Sequence, residues 1–329
     1  MKKKLLLMVP MLHQGGFERV CIETARLLAQ DMDVTILIFS DKNIHYDISG
    51  LHVVNMDVPS AKGRLAKVWN VLRRVYRVRK YKKAHPSDYS YSFGSTANIV
   101  NALSGRVGRT KVLVGLRNAL DVHEKLQMWI YLHRANEILV CSKEIRDFLE
   151  REYHYKHAQL IYNPVEVDAI QKQAQEPLPD HALSPDQQHV RQLVTVGRDD
   201  WIKGYWHLIK AFSLVCTRLS NVQLTIIGSG SFQKYKMLAR TLGIEDRVHF
   251  PGVLRNPFPY VAASDLYVMT SNNEGHPNAL LEAMALGTPC LAADCRTGPR
   301  EVLLSDQEYE HLARHHVWES TAETIEGEY

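Results

Sequence analysis

The chain has 329 residues, room for two domains, and its 45% hydrophobic and 23% charged content is that of an ordinary globular protein. No apolar run reaches the length of a transmembrane helix. Five scattered cysteines, an odd number, fit a reducing compartment rather than a disulfide framework or a metal cluster. The net charge of +4 is unevenly placed: ten Lys and Arg and no acid stand between Lys62 and Lys83, and the other 30 basic residues face 36 acidic ones.

Residues 4–9 are apolar and short. With no cleavage site behind them, they read as a first buried strand and not as a signal peptide. A loop over 10–15 leads into a helix over 17–29, with Val20, Thr24, Leu27 and Leu28 on its inner face, then strands over 34–39 and 52–55. This alternation predicts a doubly wound α/β sheet. Gly15-Gly16 is not a Gly-x-Gly-x-x-Gly turn and no acid closes the second strand, which argues against a nicotinamide cofactor.

Residues 64–83, from Arg64 to Lys83, predict a helix with Leu65, Val68, Trp69, Leu72, Val75 and Tyr76 at spacings of three and four, its other faces basic. Such a helix suits an anionic membrane surface, and no nucleic-acid-binding motif accompanies it. Strands follow over 89–93, 112–114 and 137–141. The stretch 115–121 then occupies a strand end of the kind that binds ligands in open α/β sheets, with Arg117, Asn118 and His123 as candidates there.

The stretch 171–191 is polar and carries Pro177, Pro179 and Pro185, a linker or surface excursion. Residues 192–196 open a second sheet. Gly197-Arg198 and Lys203-Gly204 follow, two cations in a strand-end loop that suit a diphosphate. Strands over 222–227 and 248–250 come next. An apolar strand over 265–270 runs into a polar loop over 271–276, then a helix with Pro277 at its first position, stopped by Gly287, and a buried strand over 290–293. Glu274 sits in the loop and Glu282 about two turns into the helix, on the same side. Between them the helix N-terminus offers an anion site, and carboxylates accept from sugar hydroxyls. The combination points to a sugar phosphate or nucleotide-sugar.

The stretch Glu274-Gly-His-Pro-Asn-Ala-Leu-Leu-Glu282-Ala-Met-Ala resembles the Glu-x7-Glu motif of retaining glycosyltransferases of family 4, with the GT-B fold, especially the bacterial polysaccharide and polyprenyl-linked type. Gly-Gly-Phe-Glu-Arg-Val from Gly15, Gly197-Arg198, Lys203-Gly204 and Asn-Pro-Phe-Pro-Tyr from Asn256 extend the resemblance over nearly the whole chain. It implies two Rossmann-like domains facing a cleft: an acceptor-binding domain over 1–163, a linker or excursion over 164–191, and a nucleotide-sugar-binding domain over 192–329. It implies that Arg198 and Lys203 hold the donor diphosphate, Glu282 the ribose and Glu274 the donor sugar. Gly16, Val253, Gly275, His276, Asn278, Ala279 and Leu280 line the donor, Val253 beside the base.

On the acceptor side the resemblance implies Glu18, Arg117, Asn118 and His123. For Glu18 a second reading, a charge favouring the helix N-terminus, stands beside it, and His123 has a purely structural alternative. The implied reaction moves a sugar from a UDP-linked donor to a polyprenyl-linked saccharide or growing cell-surface glycan, with no metal and no cofactor, on the cytoplasmic face of a membrane. Two other readings stay open: an epimerase-like enzyme on the same fold, and a membrane-associated module that binds nucleotide-sugar without transferring it. After Glu301 the residues are polar and acidic, and no buried strand or long amphipathic helix is expected among them; compared with the family, the second domain looks incomplete.

Overall fold

The computed structural model describes residues 2–315 except 14, 43, 45, 61–62 and 179–189. The chain divides into two compact units, Met1–Pro164 and Val165–Tyr329.

In the first unit the elements run β1 (Lys3–Val9), α1 (Gly16–Leu28), β2 (Met32–Ile38), β3 (His52–Asn55), α2 (Arg64–Ala84), β4 (Tyr89–Phe93), α3 (Ser95–Ser104), β5 (Lys111–Leu116), α4 (Lys125–Arg134), β6 (Glu137–Val140), α5 (Lys143–Tyr153) and β7 (Gln159–Leu160). All strands pair in parallel, in the order β3-β2-β1-β4-β5-β6-β7. The sheet is covered on both faces, so β1 is apolar and buried from Leu5 to Val9. Leu5, Leu7 and Val9 of β1 pack with Val20, Cys21 and Ala25 of α1. Leu6 and Met8 pack with Val78 of α2 and with Ala97 and Val100 of α3.

The expected inner face of α1 changes, and α2 acquires an orientation that the sequence reading left open. In α1 the buried side chains are Glu18, Val20, Cys21, Ile22 and Ala25, whereas Leu27 is 54% exposed. Apolar residues mark the period of a helix, but its neighbours decide which of them are covered. In α2, Leu65, Val68, Trp69, Leu72 and Tyr76 face outward, Val75 packs against the core, and Arg74, Val78 and Lys82 are the buried residues.

The second unit runs α6 (Val167–Gln173), β8 (Arg191–Val196), α7 (Tyr205–Cys216), β9 (Val222–Ile227), α8 (Gln233–Thr241), β10 (Val248–Gly252), α9 (Phe258–Ala262), β11 (Leu266–Met269), α10 (Asn278–Ala285), β12 (Cys290–Ala292), α11 (Pro299–Leu303) and α12 (Asp306–His315). Its parallel sheet has the order β10-β9-β8-β11-β12. Strand order therefore reverses between β8 and β11, and ligands of open α/β sheets bind at such a reversal.

Within the stretch expected to be a linker, α6 is an ordered helix with Ile170 buried, and Gln171 Nε2 donates to the Ala285 carbonyl at the end of α10 (3.0 Å). Pro277 caps α10 instead of opening it. β12 is the edge of the sheet, with Leu291 58% exposed, so the strand expected to be buried is open on one side. Beyond Glu301 a helix does form: Ser305 and Glu308 exchange hydrogen bonds in a capping box that starts α12. The expectation of an incomplete second domain concerns residues 302–329, of which 316–329 lie outside the described residues.

Candidate functional site

The loop after β8 and the loop after β11 lie side by side because their strands are neighbours. Asn272 N donates to the Ile202 carbonyl (2.7 Å), Asn272 Nδ2 to the Trp201 carbonyl (3.0 Å), and Thr270 Oγ1 to the Lys203 carbonyl (3.2 Å). Gly204 makes this approach possible. Its φ is +60°, and a Cβ there would sit 2.0 Å from the Thr270 carbonyl oxygen.

The close loops bring Lys203 and Glu274 together. Lys203 Nζ lies 2.8 Å from Glu274 Oε1, and the same oxygen accepts from Ser271 Oγ at 2.6 Å. The pair is mostly shielded, with side chains 25% and 11% exposed. Thr297 Oγ1 donates to the Glu274 carbonyl. Gly298, φ +92°, packs where a Cβ would meet Pro277 Cδ at 2.7 Å, so the start of α11 buttresses the loop from behind. Gly275 and Pro277 are buried there, and Leu280 is fully buried in the core under α10. His276, Asn278, Ala279 and Glu282 are partly exposed around the start of α10. Glu274 and Glu282 both raise the pKa of the buried Tyr267 phenol, after the larger effect of burial, so the two carboxylates share one neighbourhood.

Arg198 stands at the end of β8, 59% exposed, its Nε 3.0 Å from Asp200 Oδ2. Both cations expected at a diphosphate are thus held by carboxylates in this structure. Val253, past the end of β10, is 49% exposed and outside this hydrogen-bond network.

Sequence reading missed Ser271, Thr297 and Tyr205. Ser271 carried a weak signal in standing three residues before Glu274; the other two carried none. The Tyr205 hydroxyl is buried and finds no hydrogen-bond partner among the described residues. It lies against Gly197 together with the Lys203 methylenes: a Cβ on Gly197 would meet them at 2.6 and 3.1 Å. Cys295 is no nucleophile, since burial and then the Glu274 carboxylate push its thiol up to about 12.

In the first unit the candidates form a separate group. Gly16 begins α1, and Tyr46 clips the preceding Gly15, its hydroxyl donating to the Gly15 carbonyl at 2.7 Å. Glu18 is buried with its carboxylate over Gly15. Burial raises the Cys21 thiol pKa; Glu18 adds to the rise and Arg117 opposes it, so these two charges lie near one another around Cys21. Arg117 donates to the Tyr91 hydroxyl, to Asn163 Oδ1 (2.7 Å) and to the Ile161 carbonyl (3.1 Å). Burial works against its charge, yet Tyr91 and Cys141 hold its pKa above the ordinary value. Asn118 caps the short 3-10 helix Ala119–His123, accepting from Leu120 N. His123 is exposed, with its ring edge-on to Phe148 at 4.8 Å.

Among the described residues no cluster of three or more His, Cys, Asp or Glu could hold a metal ion, and no helix is long and apolar enough to cross a membrane.

The profile of "Glycosyltransferase Family 4" matches residues 14–169, and that of "Glycosyl transferases group 1" matches residues 190–327. The uncharacterized glycosyltransferase MJ1059 of Methanocaldococcus jannaschii is 27% identical over 264 residues, 74% of this chain and 64% of that protein, so the chain spans less than two thirds of that relative. N-acetylgalactosamine-N,N'-diacetylbacillosaminyl-diphospho-undecaprenol 4-alpha-N-acetylgalactosaminyltransferase of Campylobacter jejuni is 25% identical over 324 residues, 93% of this chain and 84% of that protein. Among solved structures, Anabaena Alr3699/HepE in complex with UDP-glucose superimposes with a TM-score of 0.74 at 20% identity, over 92% of this chain and 83% of that one.

Proposed function

The chain belongs to glycosyltransferase family 4, and on that footing we propose that it is a retaining, metal-independent enzyme moving a sugar from a UDP-linked donor to a polyprenyl-linked saccharide or growing cell-surface glycan. The observation that carries the donor half is the Lys203–Glu274 pair, shielded at the strand-order reversal and set at the start of α10. A cation, an acid and a helix N-terminus at one spot match the three needs of a nucleotide-sugar: charge on phosphate, hydroxyls on sugar and ribose, and a developing negative charge on the leaving diphosphate.

In this reading Arg198, Lys203 and the α10 N-terminus stabilise the leaving UDP. Lys203 exchanges Glu274 for phosphate as the donor arrives, which turns Glu274 toward the sugar. Glu282 holds the ribose, and Val253 lies beside the base. The first unit takes the acceptor through Glu18 and the strand-end loop bearing Arg117, Asn118 and His123. The Campylobacter relative, named for an undecaprenyl-diphosphate-linked acceptor, and the UDP-glucose bound to the Anabaena protein support this choice of substrates. Such an acceptor is lipid-anchored, which places the work at the cytoplasmic face of a membrane. No cofactor takes part.

The test is UDP binding by calorimetry. Each charge-assisted contact is worth about 1.5–3 kcal/mol, or roughly ten- to a hundredfold in affinity. The Arg198→Ala, Lys203→Ala double variant should lose UDP binding while keeping its melting transition. Parental affinity in that variant would mean the donor binds elsewhere. Metal independence is checked separately, by an unchanged transfer rate in excess EDTA.

A further inference from the structure

Helix α2 is attached to the first unit by Val78, with Val75 and Tyr81 beside it, and by a row of polar side chains, while a second apolar ridge is turned away. Arg74, 7% exposed, donates from Nε to the Val58 carbonyl (2.9 Å) and lies over the Phe39 ring at 4.7 Å. Arg77 donates to the Asp57 carbonyl (2.8 Å), Asn70 to the Pro59 carbonyl (2.7 Å) and Arg79 to the Ser104 carbonyl (2.8 Å). Lys82 is fully buried, its Nζ on Asn101 Oδ1 (2.9 Å) and Ser104 Oγ (2.8 Å).

On the far side, Leu65 is 88% exposed, Val68 61%, Trp69 69%, Leu72 53% and Tyr76 69%. At 3.6 residues per turn these five fall within about 100° of arc, a continuous ridge along a helix of about 32 Å. Exposed Arg73 and Lys80 flank it, and exposed Lys83 continues its line. No acid lies anywhere on the helix.

We propose that this ridge is a lipid-embedding surface: α2 lies in the plane of an anionic bilayer, sinking Leu65, Val68, Trp69, Leu72 and Tyr76 among the acyl chains while Arg73, Lys80 and Lys83 meet the phosphates. This gives a mode of contact to the membrane location argued above and rests on that location, not on the donor site. It adds apolar insertion to the expectation of a basic amphipathic helix at an anionic membrane surface. Arg74 and Lys82 are buried in the protein and unavailable to lipid, while Arg77 and the exposed Arg79 each donate to a main-chain carbonyl. A second copy of the chain is a poor occupant, because apposing two such helices would bring two all-cationic surfaces together. An aromatic and aliphatic ridge with a cationic border is the pattern of an interfacial helix, which takes affinity from both apolar area and surface charge.

The experiment uses the full chain and vesicles of phosphatidylcholine with and without phosphatidylglycerol. Sedimentation should show binding to the anionic vesicles. The Leu65→Ser, Trp69→Ser, Leu72→Ser, Tyr76→Ser variant should bind at least about tenfold more weakly with melting and UDP affinity unchanged, since none of the four is buried. Lipids brominated on the acyl chain should quench parental fluorescence more than that of Trp69→Phe. Salt at about 0.5 M should weaken binding without abolishing it. Parental vesicle binding by the four-serine variant, binding lost entirely in salt, or a parental dimer that the four-serine variant dissolves would each overturn the proposal. Loss of UDP binding is a separate outcome and bears on the donor site alone.

Discussion

Lys203 and Glu274 hold each other at 2.8 Å, and each is proposed to serve the donor. Glu274→Gln therefore has two opposed effects. It removes the acceptor for sugar hydroxyls, and it releases Lys203 from a competitor for phosphate. UDP affinity should be equal to or tighter than parental, while kcat falls roughly tenfold or more. Glu282→Gln should weaken UDP instead, because Glu282 is the residue proposed to hold the ribose. Equal loss of UDP affinity in both variants would contradict this division.

Tyr205 gives a stability prediction. Its buried hydroxyl has no partner among the described residues, so Tyr205→Phe should leave the protein unchanged or stabilise it by up to about 1 kcal/mol. A clear loss of stability in a melting curve would point to a hidden partner. Lys82 gives a pH prediction. Burial, with a smaller push from Arg79, brings its pKa down to about 7 from 10.5. Between those values the unfolded chain holds a proton that the folded one lacks, so this group makes stability rise with pH from about 7 toward 10.5 and contributes no slope below 7. Lys82→Met should flatten the rise relative to the parent; an identical slope would refute the buried neutral lysine.

At the scale of elements, the parts legible in sequence were those with strong period and punctuation. The β1, β3 and β4 boundaries and the β11–loop–α10 unit follow from short apolar runs, a polar loop and Gly287. The orientation of α2 was not legible. Spacing revealed the stripe Leu65-Val68-Trp69-Leu72-Val75-Tyr76, but not that Val75 alone of these packs on the core while the other five face outward. The opposite face is buried because Arg74, Arg77 and Lys82 reach main-chain and amide oxygens that no local pattern announces. Likewise β12 is apolar in sequence, yet it lies at the sheet edge, and α12 was hidden in an acidic stretch whose Ser305-Asp-Gln-Glu308 is a capping box.

The buried and exposed cations of α2 should behave differently. Arg74→Glu buries an unpaired carboxylate and should cost several kcal/mol, lowering the melting temperature strongly. Arg73→Glu with Lys80→Glu should leave melting near parental and weaken only vesicle binding. A similar melting loss in both would show that α2 packs differently. Gly204→Ala forces a Cβ against the Thr270 carbonyl at φ +60°, and should destabilise by more than about 1 kcal/mol and weaken UDP binding with it. An unperturbed variant would mean the two loops are not in contact.

Over the whole molecule, the doubly wound architecture was readable because strands and helices alternate in both halves, and the family profiles cover both. What stayed out of reach was how the proposed site is held. The reversal between β8 and β11 makes the Lys203 and Glu274 loops neighbours across 71 residues of sequence. That contact is a product of topology, and no local spacing encodes it. The same logic separates the two proposals: charge and carboxylates for the donor in the second unit, and a cationic apolar helix for lipid in the first.

The claim of sugar transfer to a lipid-linked acceptor meets its most direct test in incubating the protein with UDP-sugars labelled in the sugar and a bacterial membrane extract. Label should move into the organic-extractable lipid with one of the UDP-sugars, in EDTA as well as without it, and should stay in the aqueous phase with the Arg198→Ala, Lys203→Ala variant. UDP-sugar binding with no label in lipid from any donor, or equal labelling by the double variant, would contradict the transfer reaction proposed for this site.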